Sequence, residues 1–186
     1  MIVKETALDG CYIIEPTIHK DDRGYFYESF HQDNFEKAIK EKINFVQDNQ
    51  SKSRRGVLRG IHFQKGEFAQ AKLVRVLQGE VLDVVVDLRR GSKTFGQNEA
   101  VILSETNKKQ LFVPRGFGHG FITLSETSEF SYKCDNYYHK KSESGIIYSD
   151  PILNIDWHIP KTQIIVSEKD QQLPGFKALI AEIMQS

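Results

Sequence analysis

His62 lies in the run Gly56-Val57-Leu58-Arg59-Gly60-Ile61-His62-Phe63-Gln64, shortly after Arg59. Imidazole is the side chain whose ordinary pKa lies near neutrality, so it takes up and returns a proton without extensive tuning. A guanidinium offers a planar fork that fits phosphate. A base and an anion clamp on one short apolar strand point to proton chemistry on a phosphorylated small molecule. Taken alone, the pattern also fits a partly buried histidine held by structural hydrogen bonds. A second chemical element is Pro114-Arg115-Gly116-Phe117-Gly118-His119-Gly120. Its Pro and Gly shape a tight turn that is expected to throw His119 onto the mouth of a β-structure.

The elements that must position these groups are short and mostly extended. Strands are predicted at 11–15, 24–31, 57–64, 71–77, 80–88, 99–103, 110–113, 120–124, 129–134 and 146–148. Gln78-Gly79 marks a tight hairpin. Asp33-Asn34-Phe35-Glu36 has the form of a capping box and predicts a helix running to about Lys42. Phe176, Leu179, Ile180 and Ile183 are spaced as one face of a C-terminal helix. Many short strands with turn chemistry between them indicate an all-β sandwich or barrel with few helices. With 186 residues, no internal repeat and no linker, a single domain over 1–186 is expected.

Composition narrows the class of function. Lys plus Arg and Asp plus Glu balance at 25 each, so no bulk field recruits nucleic acid or a membrane surface. No stretch is apolar enough to span a bilayer as a helix, and Met1 to Thr6 carries no leader signal. The only cysteines, Cys11 and Cys134, form no metal-binding or disulfide pattern. A cytoplasmic protein is expected. The aromatic share of 11% suits a β-rich core or an aromatic-lined pocket.

Pro-x-Gly-x-x-His before a strand resembles the second motif of the cupins, a jelly-roll family. In metal-binding cupins the first motif carries His-x-His and a Glu; here the matching place reads His62-Phe63-Gln64. Gln is a poor ligand for transition metals, and Glu67 follows in a Gly-containing loop of uncertain placement. No metal site is therefore expected. The remaining histidines, His19, His31, His139 and His158, sit in polar or turn-like contexts.

Further stretches bring the chain close to one family. They are Asp21-Asp22-Arg23-Gly24-Tyr25-Phe26-Tyr27-Glu28, Val46-Gln47-Asp48-Asn49-Gln50-Ser51, Gly56 to Gln64 and Ala71-Lys72-Leu73-Val74-Arg75-Val76. Asp83 to Arg89, Val113 to Phe121, Tyr132 to Tyr138 and Ser167-Glu168-Lys169-Asp170 follow in order. Together they resemble the dTDP-4-dehydrorhamnose 3,5-epimerases. The resemblance implies a cupin-type jelly roll that works without metal or cofactor on a dTDP-sugar bearing a ketone at C4. It also implies a homodimer with exchanged N-terminal strands.

Carried over position by position, the resemblance makes His62 the base and Asp170 its carboxylate partner. Lys72 becomes the stabiliser of the C4 oxyanion and Tyr132 the proton donor on the opposite face. Arg23 and Arg59 would hold the diphosphate. Phe26, Glu28, Gln47 and Asn49 would meet the nucleoside, Tyr138 would pack on the base, His119 would line the sugar site, and Glu143 would assist. On pattern alone Lys72 also reads as a surface lysine, Tyr132 as a core aromatic and Asp170 as part of a charged turn. The chain departs from the family at Glu67-Phe68-Ala69, at Gln97-Asn98, at His139-Lys140-Lys141 and at Tyr148, none of them a proposed catalytic position. A C3- or C5-only epimerase, a metal-dependent cupin enzyme and a non-catalytic nucleotide-sugar binding module are the competing readings.

Overall fold

The structure is a computed structural model and describes residues 1–185. In chain order the elements are β1 (Ile2–Glu5), β2 (Tyr12–Glu15), β3 (His19–Asp21), β4 (Gly24–Phe26), α1 (Gln32–Ile39), β5 (Gln47–Arg54), β6 (Val57–Gln64), β7 (Lys72–Gln78) and β8 (Glu80–Asp87). β9 (Asn98–Ser104), β10 (Gln110–Val113), β11 (Phe117–Thr123), β12 (Thr127–Cys134), β13 (Glu143–Gly145), β14 (Ile165–Val166), α2 (Glu168–Gln171) and α3 (Phe176–Gln185) follow. One sheet runs β1-β2-β10-β7-β12-β5; the other runs β13-β6-β11-β8-β9, with β14 added beside β6. From β5 to β8 and again from β9 to β13 consecutive strands swap between these sheets, and the result is the cupin-type jelly roll. β3 and β4 form a separate two-stranded hairpin.

Strand alternation explains the layers. Val81 and Val85 of β8 join Val74, Val76, Leu111, Phe121 and Phe130 in the core cluster between the sheets. Leu82, Val84 and Val86 point the other way, onto Trp157, Phe176 and Leu179. β8 is thus buried on both faces, which is why it reads as a continuous apolar run. The first sheet's outer face is covered by α1, through Phe35 and Ile39 against Ile14, Leu73 and Phe112. Cys11 and Cys134 are free thiols and buried, and burial pushes them up to about 12 and about 11.

Several local expectations need correction. The predicted strand 24–31 ends at Phe26; Tyr27 stacks back on Tyr25, and Phe30 folds into the α1 layer, where it packs on Phe35 and Phe45. The helix starts at Gln32 rather than after an Asp33 cap: its N-cap is His31, without a side-chain bond. Glu36 is occupied by Gln32, Lys42 and the Ile43 amide, so no capping box closes. Lys40 turns left-handed at φ 59 and ends the helix before Lys42. The predicted strand at 146–148 lies three residues early, at β13. β1, β3, β5 and α2 lacked an apolar period to announce them.

Candidate active site

The alternation that builds the core also aims the chemical groups. Lys72 shares its strand face with Val74 and Val76, Tyr132 with Phe130, and Asp83 with Val81 and Val85. His119 lies between Phe117 and Phe121 on β11, inside the strand rather than on the loop before it. All therefore face the space between the sheets. Pairing sets their neighbours: Tyr132 stands opposite Asn49 on one side and Val74 on the other, Cys134 opposite Lys72, and His62 opposite His119.

At this end the interior is hollow. A cavity of about 550 Å³ is walled by Asn49, Arg59, His62, Lys72, His119, Tyr132, Lys169 and Asp170, among others. An adjoining cavity of about 240 Å³ shares Asn49, His62, Lys72 and Tyr132 and adds Gln47, Tyr138 and Glu143. A space of this size, lined by both apolar and polar side chains, suits a small-molecule site.

His62 Nε2 lies 2.7 Å from Asp170 Oδ1. Asp170 is held in turn: α2 is capped by Ser167, whose Oγ accepts the Asp170 amide at 3.1 Å, and the Gly60 amide donates to Asp170 Oδ2 at 3.4 Å. Burial raises the Asp170 pKa, but the hydrogen bond and charge of His62 outweigh it, and the carboxyl sits below its usual range. With Nε2–H donated to this carboxylate, Nδ1 is left with the lone pair, so the ring is oriented as a base. Gly60 makes the arrangement possible. It takes φ +122, and a Cβ there would lie 2.5 Å from Gly120 Cα and 2.8 Å from His119 O. The two histidine strands approach backbone to backbone at this point.

Lys72 makes no hydrogen bond or ion pair among the described residues, and its ammonium lies 5.8 Å from the Tyr132 ring centroid. Burial pushes the Lys72 pKa down, against the charges of Cys134, Asp83 and Glu143. Burial also raises the Tyr132 pKa, so the phenol keeps its proton at neutral pH. A second pair lies behind the cavity wall, which His119 lines: its Nε2 is 3.0 and 2.9 Å from the two oxygens of Asp83, which is fully buried. Burial raises the Asp83 pKa, while the charge of His119 opposes that shift.

At the rim, Arg59 Nε donates to Ser53 Oγ at 3.1 Å and Nη2 to Lys52 O at 3.3 Å, which lays the guanidinium along β5. Tyr138 donates its hydroxyl to Glu143 Oε2 at 2.8 Å, and Lys169 bonds the same oxygen. Gln47 donates to Asn49 Oδ1 at 3.1 Å and accepts the Tyr138 amide at 3.0 Å. Arg23, Phe26 and Glu28 are not brought to the cavity of their own chain. Arg23 pairs with Asp21 on the β3–β4 hairpin, the Phe26 ring is exposed, and Glu28 accepts from Asn34 at 3.5 Å. Glu67 is exposed on a short 3-10 turn and lines neither cavity. Among the described residues, no three His, Cys, Asp or Glu are grouped to hold a metal ion.

Sequence reasoning missed Asp83 and Lys169 as members of the site. Asp83 had a signal, a charged residue breaking the valine run of β8, which is unstable in a core without a partner. Lys169 had none.

The family profile described as dTDP-4-dehydrorhamnose 3,5-epimerase matches residues 5–178. The chain belongs to the dTDP-4-dehydrorhamnose 3,5-epimerase family. It is accordingly an isomerase of the carbohydrate-epimerase kind. Within the family it is 52% identical to the dTDP-4-dehydrorhamnose 3,5-epimerase of Salmonella typhimurium, covering 98% of this chain and 100% of that one. The crystal structure of the 3,5-epimerase from Elizabethkingia anophelis superposes with a TM-score of 0.93 at 56% identity, over 96% of this chain and 97% of the other. The Legionella pneumophila epimerase, solved in complex with dTDP-4-keto-L-rhamnose, gives a TM-score of 0.93 at 48% identity, over 98% and 96%.

Proposed function

We propose that this chain converts dTDP-4-keto-6-deoxy-D-glucose to dTDP-4-keto-L-rhamnose by inverting C3 and C5. The observation that carries the reading is the oriented His62–Asp170 pair sharing one cavity with the unpartnered ammonium of Lys72 and the protonated phenol of Tyr132. A ketone at C4 acidifies the hydrogens at C3 and C5. His62 Nδ1 takes one of them, and the electron pair moves into the C4 oxygen to give an enolate. Lys72 donates hydrogen bonds to that oxyanion, and its cost of burial is offset only once the negative charge appears. Tyr132 delivers a proton to the opposite face and is reprotonated from solvent, as His62 releases its proton to solvent. None of these steps calls for a redox or metal group.

The remaining residues fit the ends of the substrate. Arg59 takes the diphosphate as a forked donor. His119, fixed by Asp83, lines the sugar. Asn49, Gln47, Tyr138 and Glu143 lie toward the nucleoside. Arg23 and Phe26 of the β3–β4 hairpin, and Glu28 just after it, serve the site of a second chain in a homodimer that exchanges N-terminal strands. No helix of the described chain is long and apolar enough to cross a membrane; with two buried free thiols, the reading places the enzyme in the cytoplasm.

The deciding experiment is mass spectrometry of dTDP-4-keto-6-deoxyglucose after incubation in D₂O. Deuterium at both C3 and C5 is expected. Label at one carbon makes the chain a mono-epimerase. Binding without label makes it a binding module, and activity that disappears with chelator makes it a metal-dependent cupin. For the dimer, Arg23→Ala and His62→Ala chains, each inactive alone, are expected to regain activity on mixing, because a hybrid holds one intact site.

A further inference from the structure

Gln64 stands where a metal-binding cupin places its second histidine, yet every polar atom of its side chain is spent on backbone. The residue is 7% exposed. Its Oε1 accepts the His139 amide at 2.6 Å, and its Nε2 donates to Phe68 O at 3.0 Å and Tyr137 O at 3.3 Å. The segment Tyr137 to His139 belongs to no helix or strand, so its backbone groups need other partners. Side-chain amides supply them. Asn136 Oδ1 accepts the Tyr137 amide at 2.9 Å, Gln47 Oε1 the Tyr138 amide at 3.0 Å, and Gln64 meets the His139 amide and the Tyr137 carbonyl. The Phe68 ring stacks on His139, with centroids 3.9 Å apart and planes at 16°. By contrast, the Tyr138 side chain is half exposed and is tied only through its hydroxyl, to Glu143.

We infer that Gln64 is a positioning residue for nucleotide binding: it clamps the Tyr137–His139 segment to the end of β6, and so fixes the Tyr138 wall against which the base of the substrate packs. This rests on the assignment of Tyr138 to the nucleoside end. His62 and Gln64 leave β6 two residues apart on one strand face, so the clamp ties the nucleoside wall to the strand that carries the base. Substrate then meets a preformed wall and loses less ordering entropy on binding.

The test uses the full chain and two variants. Gln64→Ala removes all three bonds. Gln64→Glu keeps the size and the bond from His139, but sets a carboxylate against two carbonyl oxygens. In both, KM for the dTDP-sugar and Kd for dTDP are expected to rise about tenfold while kcat stays within about threefold, the split of a residue that shapes binding and not the chemical step. Hydrogen exchange at the Tyr138 and His139 amides is expected to accelerate, while exchange in β8 is unchanged. A fall in kcat with KM and Kd intact overturns the inference, as does unchanged exchange and binding in either variant. The unmutated chain gives a check that needs no variant: Tyr138 and His139 amides that exchange as fast as an unfolded peptide also overturn it. Failure of the epimerase reading is seen separately, as an unmutated chain that does not act on the dTDP-sugar while the two amides remain protected.

Discussion

The chemistry divides among side chains that the reaction needs for different reasons, so single substitutions separate them. His62→Ala removes the base that Asp170 orients and is expected to lower deuterium wash-in at C3 and C5 by about 10²-fold or more. Tyr132→Phe leaves proton removal possible but takes away the donor on the far face. Wash-in is expected to survive in part while inversion fails. Equal, full activity in both variants would sink these assignments. Lys72 lies at the conflict between stability and function. Its depressed pKa means that the folded chain holds the ammonium less readily than water does, so at every pH below the folded pKa the charge costs stability. Lys72→Met is expected to raise Tm by a few degrees, about 1 kcal/mol, while lowering kcat. Calorimetry beside a turnover assay checks both at once, and a lower Tm would show the charge to be paired after all.

At the scale of the elements, the site depends on how closely β6 and β11 approach. Gly60→Ala forces a Cβ against Gly120 Cα and a left-handed φ on a residue that resists it, with a cost expected at about 3 kcal/mol or more. Urea unfolding checks the figure; a variant as stable as the parent would mean that the strands can separate freely. The elements also show what a sequence reveals. β8 and β11 were legible because burial on one or both faces leaves an apolar pattern. β5 was not, because Gln47-Asp48-Asn49-Gln50-Ser51-Lys52-Ser53-Arg54 is an edge strand that lines the cavities and faces solvent, and nothing in its polarity distinguishes it from a loop. α2 was hidden for a similar reason: it is one turn long, and its single buried side chain, Asp170, is buried for chemistry and not for packing. His62, Arg59 and His119 could be singled out from residue type and local pattern. Lys72, Tyr132 and Asp170 could be found only through resemblance, since each comes from a different strand or helix and only the fold brings them together. The rim contacts of Gln47 and Gln64 with backbone could not be read at all, because a side-chain amide leaves no periodic trace.

Across the whole molecule, two buried carboxylates with lowered pKa, Asp87 and Asp170, contribute to resistance to acid. Asp87 accepts from Arg89, Ser92 and Thr94, and although burial raises its pKa, these bonds bring it down to about 2. Its folded pKa is below the unfolded value of about 3.9, so the stabilisation is complete above pH ~4 and is lost as the pH falls through ~2. Asp170 acts in the same direction. Asp87→Asn is expected to cost about 2 kcal/mol at pH 7 and to flatten the decline of stability between pH 4 and 2; an unchanged decline would assign it to other groups. The two cysteines lead to a different use of the fold. With Cys11 and Cys134 buried, Cys134 against the smaller cavity, and their thiols held almost wholly protonated, an alkylating reagent at mildly alkaline pH reacts slowly with the native chain and readily with the two nucleophiles of the unfolded one. The count of labels per chain, zero or two, becomes a built-in gauge of how often the molecule opens, readable by mass in a mixture and without any added probe.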